Sequence, residues 1–133
     1  MQVVNSKQTK VFITRHLPTQ LTELEQVAIV EVWEENQPPP AQILLEKAET
    51  VNGILCFLTD PIDQTVIESA KNLQVISQMA VGYDNIDVAA ATAQRIPVGH
   101  TPGILTDTTA DFTWALLMAA ASVYRLFTPN YNN

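Results

Sequence analysis

Short apolar runs alternate with segments of helical character along the whole chain. The runs are bounded by polar or turn-forming residues, as is typical of β-strands, and they lie at residues 11–14, 29–33, 54–58, 75–79 and 96–98. The run at 54–58 has no polar interruption, which predicts a central parallel strand covered on both faces. A sheet of about five short strands follows from this pattern.

The segments between these runs carry helix signals. Thr19 or Thr22, placed before Glu25, predicts an N-cap, because the threonine oxygen can accept a hydrogen bond from an otherwise unpaired backbone N–H group. Further helices are predicted at residues 41–49, 63–70 and 88–94, the last capped by Asp87. Repeated βα units of this length favour a parallel sheet with helices on both faces. We therefore predict an α/β, flavodoxin-like fold.

The longest helix signal covers residues 106–126. Thr108 and Asp111 have the spacing of a capping box, and the body of the helix, at 112–121, is apolar nearly all round, which predicts burial on several sides. Its ten or so apolar residues fall well short of the ~20 needed to cross a bilayer. We expect an α/β segment at 1–105, this helix at 106–126 and an irregular tail at 127–133.

Composition narrows the function classes. The 133 residues, 47% of them hydrophobic, suffice for one domain with a modest core. A net charge of −7 with only seven Lys and Arg residues argues against a nucleic-acid surface. The lone Cys56 excludes a disulfide framework and is expected to be a small buried hydrophobe. Without a signal-peptide pattern near Met1, a cytoplasmic location is expected.

Two predicted strand ends have chemistry suited to an anion. Ligands of parallel α/β sheets collect beyond the carboxyl ends of the strands, here residues 58–60 and 81–83. Gly82 would let the backbone approach a ligand closely or adopt positive φ, while flanking N–H groups could hold a carboxylate. The alternative is that Gly82 only relieves a tight turn.

An acidic cluster follows Gly82. Asp84, Asn85 and Asp87 lack the further carboxylate and the glycine of a calcium loop. Turn formation and helix capping by these side chains are the favoured interpretation, and we predict no metal site.

Three blocks of sequence together resemble a known family. They are GILCFLTD at 53–60, VISQMAVGYDNID at 75–87 and VGHTPGILTDTTAD at 98–111. Their order and spacing are similar to those of the D-2-hydroxyacid dehydrogenases, and within them the glyoxylate and hydroxypyruvate reductases, over roughly residues 10–122. The resemblance implies NAD(P)-dependent hydride transfer between nicotinamide and a small 2-keto or 2-hydroxy acid. It also implies a helix at 106–126 that crosses between domains and packs in a dimer interface.

The same resemblance assigns site residues. It implies that Leu58, Val81 and Gly82 bind the substrate, with its carboxylate at the glycine turn, and that Thr109 approaches the nicotinamide end of NAD or NADP. Thr109 is equally well interpreted as a plain first-turn threonine. The family's catalytic histidine, glutamate and arginine match no position in this sequence, and neither His16 nor His100 lies in the matching motif. No catalytic residue is therefore assigned.

The nucleotide-binding machinery has no counterpart in the sequence. With four glycines, no G-x-G-x-x-G can be written, so tight NAD(P) binding by this chain alone is not expected. The chain is similar to the N-terminal segment of a longer enzyme, and its ending resembles a truncation or frame change. Two hypotheses follow. The first is a reductase polypeptide whose missing half is supplied by a second chain or has been lost. The second is a non-catalytic remnant or interaction module that binds small carboxylates or pairs with a full-length homologue.

Overall fold

Strands and helices alternate through the part of the chain that the computed structural model describes, residues 9–127, with side chains to residue 123. The elements are β1 (Lys10–Ile13), α1 (Thr22–Val27), β2 (Ile29–Val32), α2 (Ala41–Ala48), β3 (Gly53–Cys56), α3 (Gln64–Ser69), β4 (Val75–Gln78), α4 (Val88–Ala93), β5 (Val98–Gly99) and α5 (Thr106–Phe127).

The five strands form one parallel sheet in the order β2-β1-β3-β4-β5. This is the flavodoxin-like order, and it confirms the predicted fold class. Helices α2, α3 and α4 contact one another in sequence. Because the β1-to-β2 connection runs in the opposite direction along the sheet, right-handed crossovers place α1 on the other face.

The core lies between the sheet and helices α2 to α4. The predicted central strand is β3, where Ile54 and Cys56 are buried, and burial of the lone cysteine is as expected. The buried cluster comprises Phe12, Leu44, Ala48, Val51, Ile54, Cys56, Ile62, Val66, Ile67, Leu73, Ile76, Ile86, Ala91 and Ile96. These apolar side chains fix the three helices on the sheet and so fix the loops at its carboxyl edge.

Aspartates start two of the short helices. Asp63 accepts a hydrogen bond from the Val66 N–H at 3.0 Å at the start of α3, and Asp87 accepts from the Ala90 N–H at 2.9 Å at the start of α4. The predicted cap at Asp87 is confirmed. Each carboxylate satisfies a backbone donor that the helix itself leaves unpaired.

Two predicted threonine caps are wrong. Helix α1 begins at Thr22 with Leu21 at the N-cap position, and no side chain caps it, so neither Thr19 nor Thr22 has that role. Helix α5 begins at Thr106, which places Thr108 inside the first turn instead of before it. A capping box needs its threonine outside the helix, so Thr108 and Asp111 do not form one.

The chain divides into two compact units, one ending at Thr101 and one beginning at Pro102. Helix α5 belongs to the second unit and ends at Phe127, so the remainder of the predicted tail lies outside the described residues. The large apolar side chains exposed on α5 are Phe112, Trp114, Leu116, Leu117, Met118 and Val123. Among the described residues, no helix has the length and apolarity required to span a membrane.

Candidate carboxylate-binding site

The segment that follows β4, residues 80–83, is held by hydrogen bonds to its carbonyl groups. The Ala80 carbonyl accepts from the backbone N–H of Thr101 at 3.0 Å, and the Val81 carbonyl lies 2.9 Å from Nδ1 of His100. A carbonyl oxygen can only accept, so Nδ1 of His100 carries the proton and donates it. Both donors follow directly after β5. The end of β5 therefore positions the end of β4.

A third carbonyl, that of Gly82, accepts from the side-chain amide of Gln78 at 3.3 Å. Gln78 is buried at the end of β4, where its Nε2 also donates to Oδ1 of Asn85 at 2.9 Å and its Oε1 accepts from the Cys56 thiol at 3.1 Å. Burying an amide costs free energy unless its polar atoms are paired. Here the pairing fixes the turn beyond the strand.

The N–H groups of the same segment are the candidate anion-binding groups. Among the described residues, the backbone N–H groups of Val81, Gly82 and Tyr83 make no hydrogen bond. Each belongs to the same planar trans peptide unit as the preceding carbonyl, so it points in the opposite direction. Because those carbonyls point at protein donors, three consecutive N–H groups point away from them. Consecutive backbone N–H groups without a protein acceptor are a feature of backbone anion-binding sites.

Gly82 does not have the positive φ that the sequence allowed for. Among the described glycines only Gly103 lies in the left-handed region, so relief of a strained turn does not account for Gly82. A Cβ at Gly82 would lie 3.5 Å from Cδ2 of Leu58, an ordinary contact. Neither backbone strain nor packing within the protein therefore requires glycine there.

The structure brings the predicted substrate-binding residues together at one sheet edge. Leu58 follows β3 and Val81 and Gly82 follow β4, which is hydrogen-bonded to β3. The Leu58 side chain, 55% exposed, lies beside Gly82. An apolar side chain therefore flanks the three N–H groups.

A buried carboxylate shapes the loop that carries Leu58. Asp60, fully buried, accepts hydrogen bonds from the Thr14 hydroxyl, from the Phe57 N–H at 2.8 Å and from the Thr59 hydroxyl at 3.3 Å. These donors come from the end of β1 and from the loop itself. They satisfy the charge of Asp60 and fix the loop after β3 against β1.

Asn85 joins the two loops. Its side-chain Nδ2 donates to the carbonyls of Phe57 and Asp60 at 2.9 and 2.8 Å. A parallel bridge between Ile62 and Ile86 continues this contact. The predicted capping role within the acidic cluster is confirmed for Asp87, whereas the Asn85 side chain bonds to the distant β3 loop instead of forming a local Asx turn. Among the described residues there is no group of three or more His, Cys, Asp or Glu side chains that could hold a metal ion.

Arg15 borders the site at the end of β1. Its terminal guanidinium nitrogen donates to the Thr59 hydroxyl at 2.8 Å, and its guanidinium carbon lies 5.0 Å from the centre of the Phe57 ring. Strands β1 and β3 flank the point where the strand order reverses, where ligands bind in doubly wound sheets. Arg15 therefore places a positive charge at the sheet edge.

Cys56 is near the site but is not a nucleophile. Burial raises the pKa of the Cys56 thiol to about 12, and the negative charge of Asp60 acts in the same direction. At neutral pH the thiol stays protonated, and it donates to Gln78 as a structural group.

Thr109 lies in the second unit, in the first turn of α5. Its N–H donates to the Leu105 carbonyl at 2.9 Å, its carbonyl accepts from the Thr113 hydroxyl at 2.8 Å, and its side chain is exposed. The approach of Thr109 to a cofactor remains a prediction.

His16, one of the two histidines that match no catalytic motif, is exposed in the first unit.

Sequence reasoning missed the residues that orient the site. Gln78 has a recognisable signal, since it occupies an inward position in the alternating pattern of β4. Asn85 was assigned only to turn formation, and its bonds to the β3 loop depend on strand order. His100 has no local signal, because its partner Val81 precedes it by 19 residues.

A parallel sheet in the order 2-1-3-4-5 defines a flavodoxin-like domain, and the N–H groups beyond β4 that have no acceptor among the described residues form a candidate anion site at its carboxyl edge. The model of the family "D-isomer specific 2-hydroxyacid dehydrogenase, catalytic domain" matches residues 11–131, and the chain belongs to this family.

Curated relatives agree with this assignment. A glyoxylate reductase from Korarchaeum cryptofilum is 46% identical over 113 residues, which are 84% of this chain and 34% of that protein. One from Aeropyrum pernix is 48% identical over 116 residues, 86% of this chain and 35% of that protein. A solved structure from Thermus thermophilus has a TM-score of 0.77 at 38% identity and covers 93% of this chain and 41% of that one. The chain thus spans about a third of the length of these curated relatives.

Proposed function

We propose that this chain is the substrate-binding part of an NAD(P)-dependent D-2-hydroxyacid dehydrogenase of the glyoxylate and hydroxypyruvate reductase type. The N–H groups of Val81, Gly82 and Tyr83 bind the substrate carboxylate. The observation that carries this assignment is that three consecutive N–H groups lack an acceptor within the described part of the chain, while the carbonyls before them are held by the protein.

The neighbouring side chains suit a small 2-keto or 2-hydroxy acid. Leu58 forms an apolar wall beside Gly82 and packs against the substrate's carbon atoms. A hydrogen at Gly82 leaves the N–H groups accessible, whereas a methyl group would hinder a carboxylate from reaching them. The fixed peptide units need no rearrangement on binding, so the site is preorganised for an anion.

NAD or NADP is the cofactor of the family, and when bound it supplies the hydride that reduces the keto carbon. The described residues do not form a site for it, since the turns after β1, β3 and β4 contain no G-x-G-x-x-G. We place the nucleotide on a separate cofactor domain, with Thr109 near its nicotinamide end. Pairing with a chain that carries this domain completes the enzyme. We also propose that the chain forms a homodimer and that the protein is cytoplasmic.

Carboxylate binding is tested by NMR on the purified, ¹⁵N-labelled chain titrated with glycolate and glyoxylate. The amide protons of Gly82 and Tyr83 are expected to move downfield as they donate to the carboxylate. Gly82→Ala should fold normally, because its Cβ meets only ordinary contacts, yet bind at least about tenfold more weakly. Gly99→Ala, whose Cβ has nothing within 4 Å, is the matched control. Unchanged amides at 81–83 would contradict the assignment.

Turnover is tested by following NADH and NADPH oxidation with glyoxylate and hydroxypyruvate. The chain is assayed alone and after mixing with a separately expressed nucleotide-binding half of an archaeal relative. Turnover only in the mixture is expected. Carboxylate binding without turnover in either sample would instead favour a non-catalytic carboxylate-binding module.

A further inference from the structure

We propose that His100 is a positioning residue for the carboxylate site: its Nδ1–H holds the Val81 carbonyl and thereby sets the direction of the Gly82 N–H. This assignment rests on the proposed function of residues 81–83. It gives a role in the site to a histidine that matches no catalytic motif in the sequence.

The link between His100 and the site is a single peptide unit. The Val81 carbonyl and the Gly82 N–H belong to one planar trans peptide, so a donor that fixes the carbonyl also fixes the N–H on the opposite side. The Nδ1–O distance of 2.9 Å is that of a well-formed hydrogen bond. Glycine has unusually free backbone dihedrals, so without this bond the unit could rotate.

A second contact orients the imidazole. The rings of His100 and Tyr83 meet edge to face, with centroids 5.0 Å apart and planes inclined by 74°. This is a favoured aromatic geometry. Tyr83 also carries the third N–H of the site, so the His100 ring contacts the segment on both sides of Gly82.

The two neighbouring peptide units are held by other donors. The Ala80 carbonyl is fixed by Thr101, which orients the Val81 N–H, and the Gly82 carbonyl is fixed by Gln78, which orients the Tyr83 N–H. Loss of the His100 donor should therefore disturb the Gly82 N–H most. This selectivity distinguishes positioning from a general role in stability.

A first test needs no ligand. Long-range ¹H–¹⁵N correlation of the wild-type imidazole is expected to show the proton of His100 on Nδ1. In His100→Leu, ¹⁵N relaxation should show larger fast motion at Gly82 than at Val81 or Tyr83. His100→Asn, whose side-chain N–H₂ occupies the position of Nδ1, should restore the wild-type values. A neutral ring protonated on Nε2 alone would overturn the assignment whether or not the variants fold.

The second test measures glycolate affinity of the same proteins by amide shifts. We expect His100→Leu to bind glycolate about 3- to 10-fold more weakly, which corresponds to the loss of one hydrogen bond. His100→Asn should recover most of the affinity. His16→Leu is the matched control and should bind as tightly as wild type. Equal affinity of His100→Leu and wild type would reject the positioning role but leave the carboxylate site intact. No wild-type response at 81–83 would reject the carboxylate site itself, and the ligand-free test would still decide whether His100 orients the peptide unit.

Discussion

Buried polar side chains of this domain hold loops at the carboxyl edge of the sheet. Asp60 and Gln78 are both buried, and each bonds to the backbone of a loop: Asp60 accepts from the Phe57 N–H, and Gln78 donates to the Gly82 carbonyl. Their positions are partly readable from sequence, since Asp60 follows the apolar run at 54–58 and Gln78 occupies an inward position of β4. Their partners are not, because Thr14 and Asp60 are 46 residues apart.

Removing the Asp60 carboxylate should destabilise the fold strongly. In Asp60→Ala the Phe57 N–H loses its acceptor and the buried Thr14 hydroxyl keeps only the Leu55 carbonyl at 3.3 Å. We expect the free energy of unfolding to fall by about 2–4 kcal/mol in urea denaturation. Asp60→Asn keeps one acceptor oxygen and should lose less. Asp84→Ala removes an exposed carboxylate and should stay within about 0.5 kcal/mol of wild type. An Asp60→Ala protein as stable as wild type would contradict this account.

Cys56 should make stability fall at high pH. Burial raises its pKa from 9.0 to about 12, so the unfolded chain loses the thiol proton first, and stability declines as pH rises from 9 to 12. Cys56→Ala should show a smaller decline over that range in urea unfolding. At pH 8 the thiol should resist a disulfide reagent until urea unfolds the chain. Rapid labelling of the folded protein would show that the thiol is accessible.

At the scale of single elements, local chemistry predicted some helix starts and missed others. Asp63 and Asp87 cap their helices through the backbone N–H three residues on, a contact that depends only on nearby sequence. Helix α1 has threonines near its start, yet it begins at Thr22 after Leu21, whose side chain cannot cap it. A helix of six residues has little stability of its own, so α1 depends on tertiary contacts such as that with β2 more than on a cap.

The two aspartate caps should therefore contribute measurably to stability. Asp63→Ala and Asp87→Ala are each expected to lower the free energy of unfolding by about 1 kcal/mol, because an N-terminal N–H loses its acceptor. Thr22→Ala is the control, since no side chain caps α1, and its stability should stay close to that of wild type. Thermal or urea unfolding of the three variants measures the difference. If Thr22→Ala lost as much stability as the aspartate variants, the result would support a capping role for Thr22.

At the scale of the whole molecule, the alternation of strands and helices was enough to predict a parallel sheet and hence a shared carboxyl edge for residues 58–60 and 81–83. Adjacency of β3 and β4 then brings Leu58 beside Gly82. The alternation could not supply the hydrogen bonds from His100 and Gln78 that turn the N–H groups outward, because those depend on side-chain geometry after the strands are aligned. The fold and the sheet edge at which we propose the site were readable from the sequence, whereas the contacts that orient its N–H groups were not.

The exposed apolar side chains of α5 should make the chain self-associate. Trp114 and Leu117 are 65% and 56% exposed and lie three residues apart, on one side of the helix, and apolar surface of this kind is normally covered by another protein surface. Sedimentation velocity over a concentration series is expected to show a reversible dimer. Replacing both residues by glutamate should weaken the association constant by about tenfold or more, since burying the charges is costly.

Val27→Glu provides the matched control, because Val27 is 54% exposed but belongs to the first unit. It removes exposed apolar surface outside α5, so it should leave the dimer intact. Equal weakening by Val27→Glu would place the interface on the sheet domain, and a wild-type chain that stays monomeric at its highest soluble concentration would contradict self-association altogether. Since α5 and the proposed carboxylate site belong to different units, the glutamate variant is expected to give the same glycolate response at 81–83 as wild type, which separates assembly from the proposed binding.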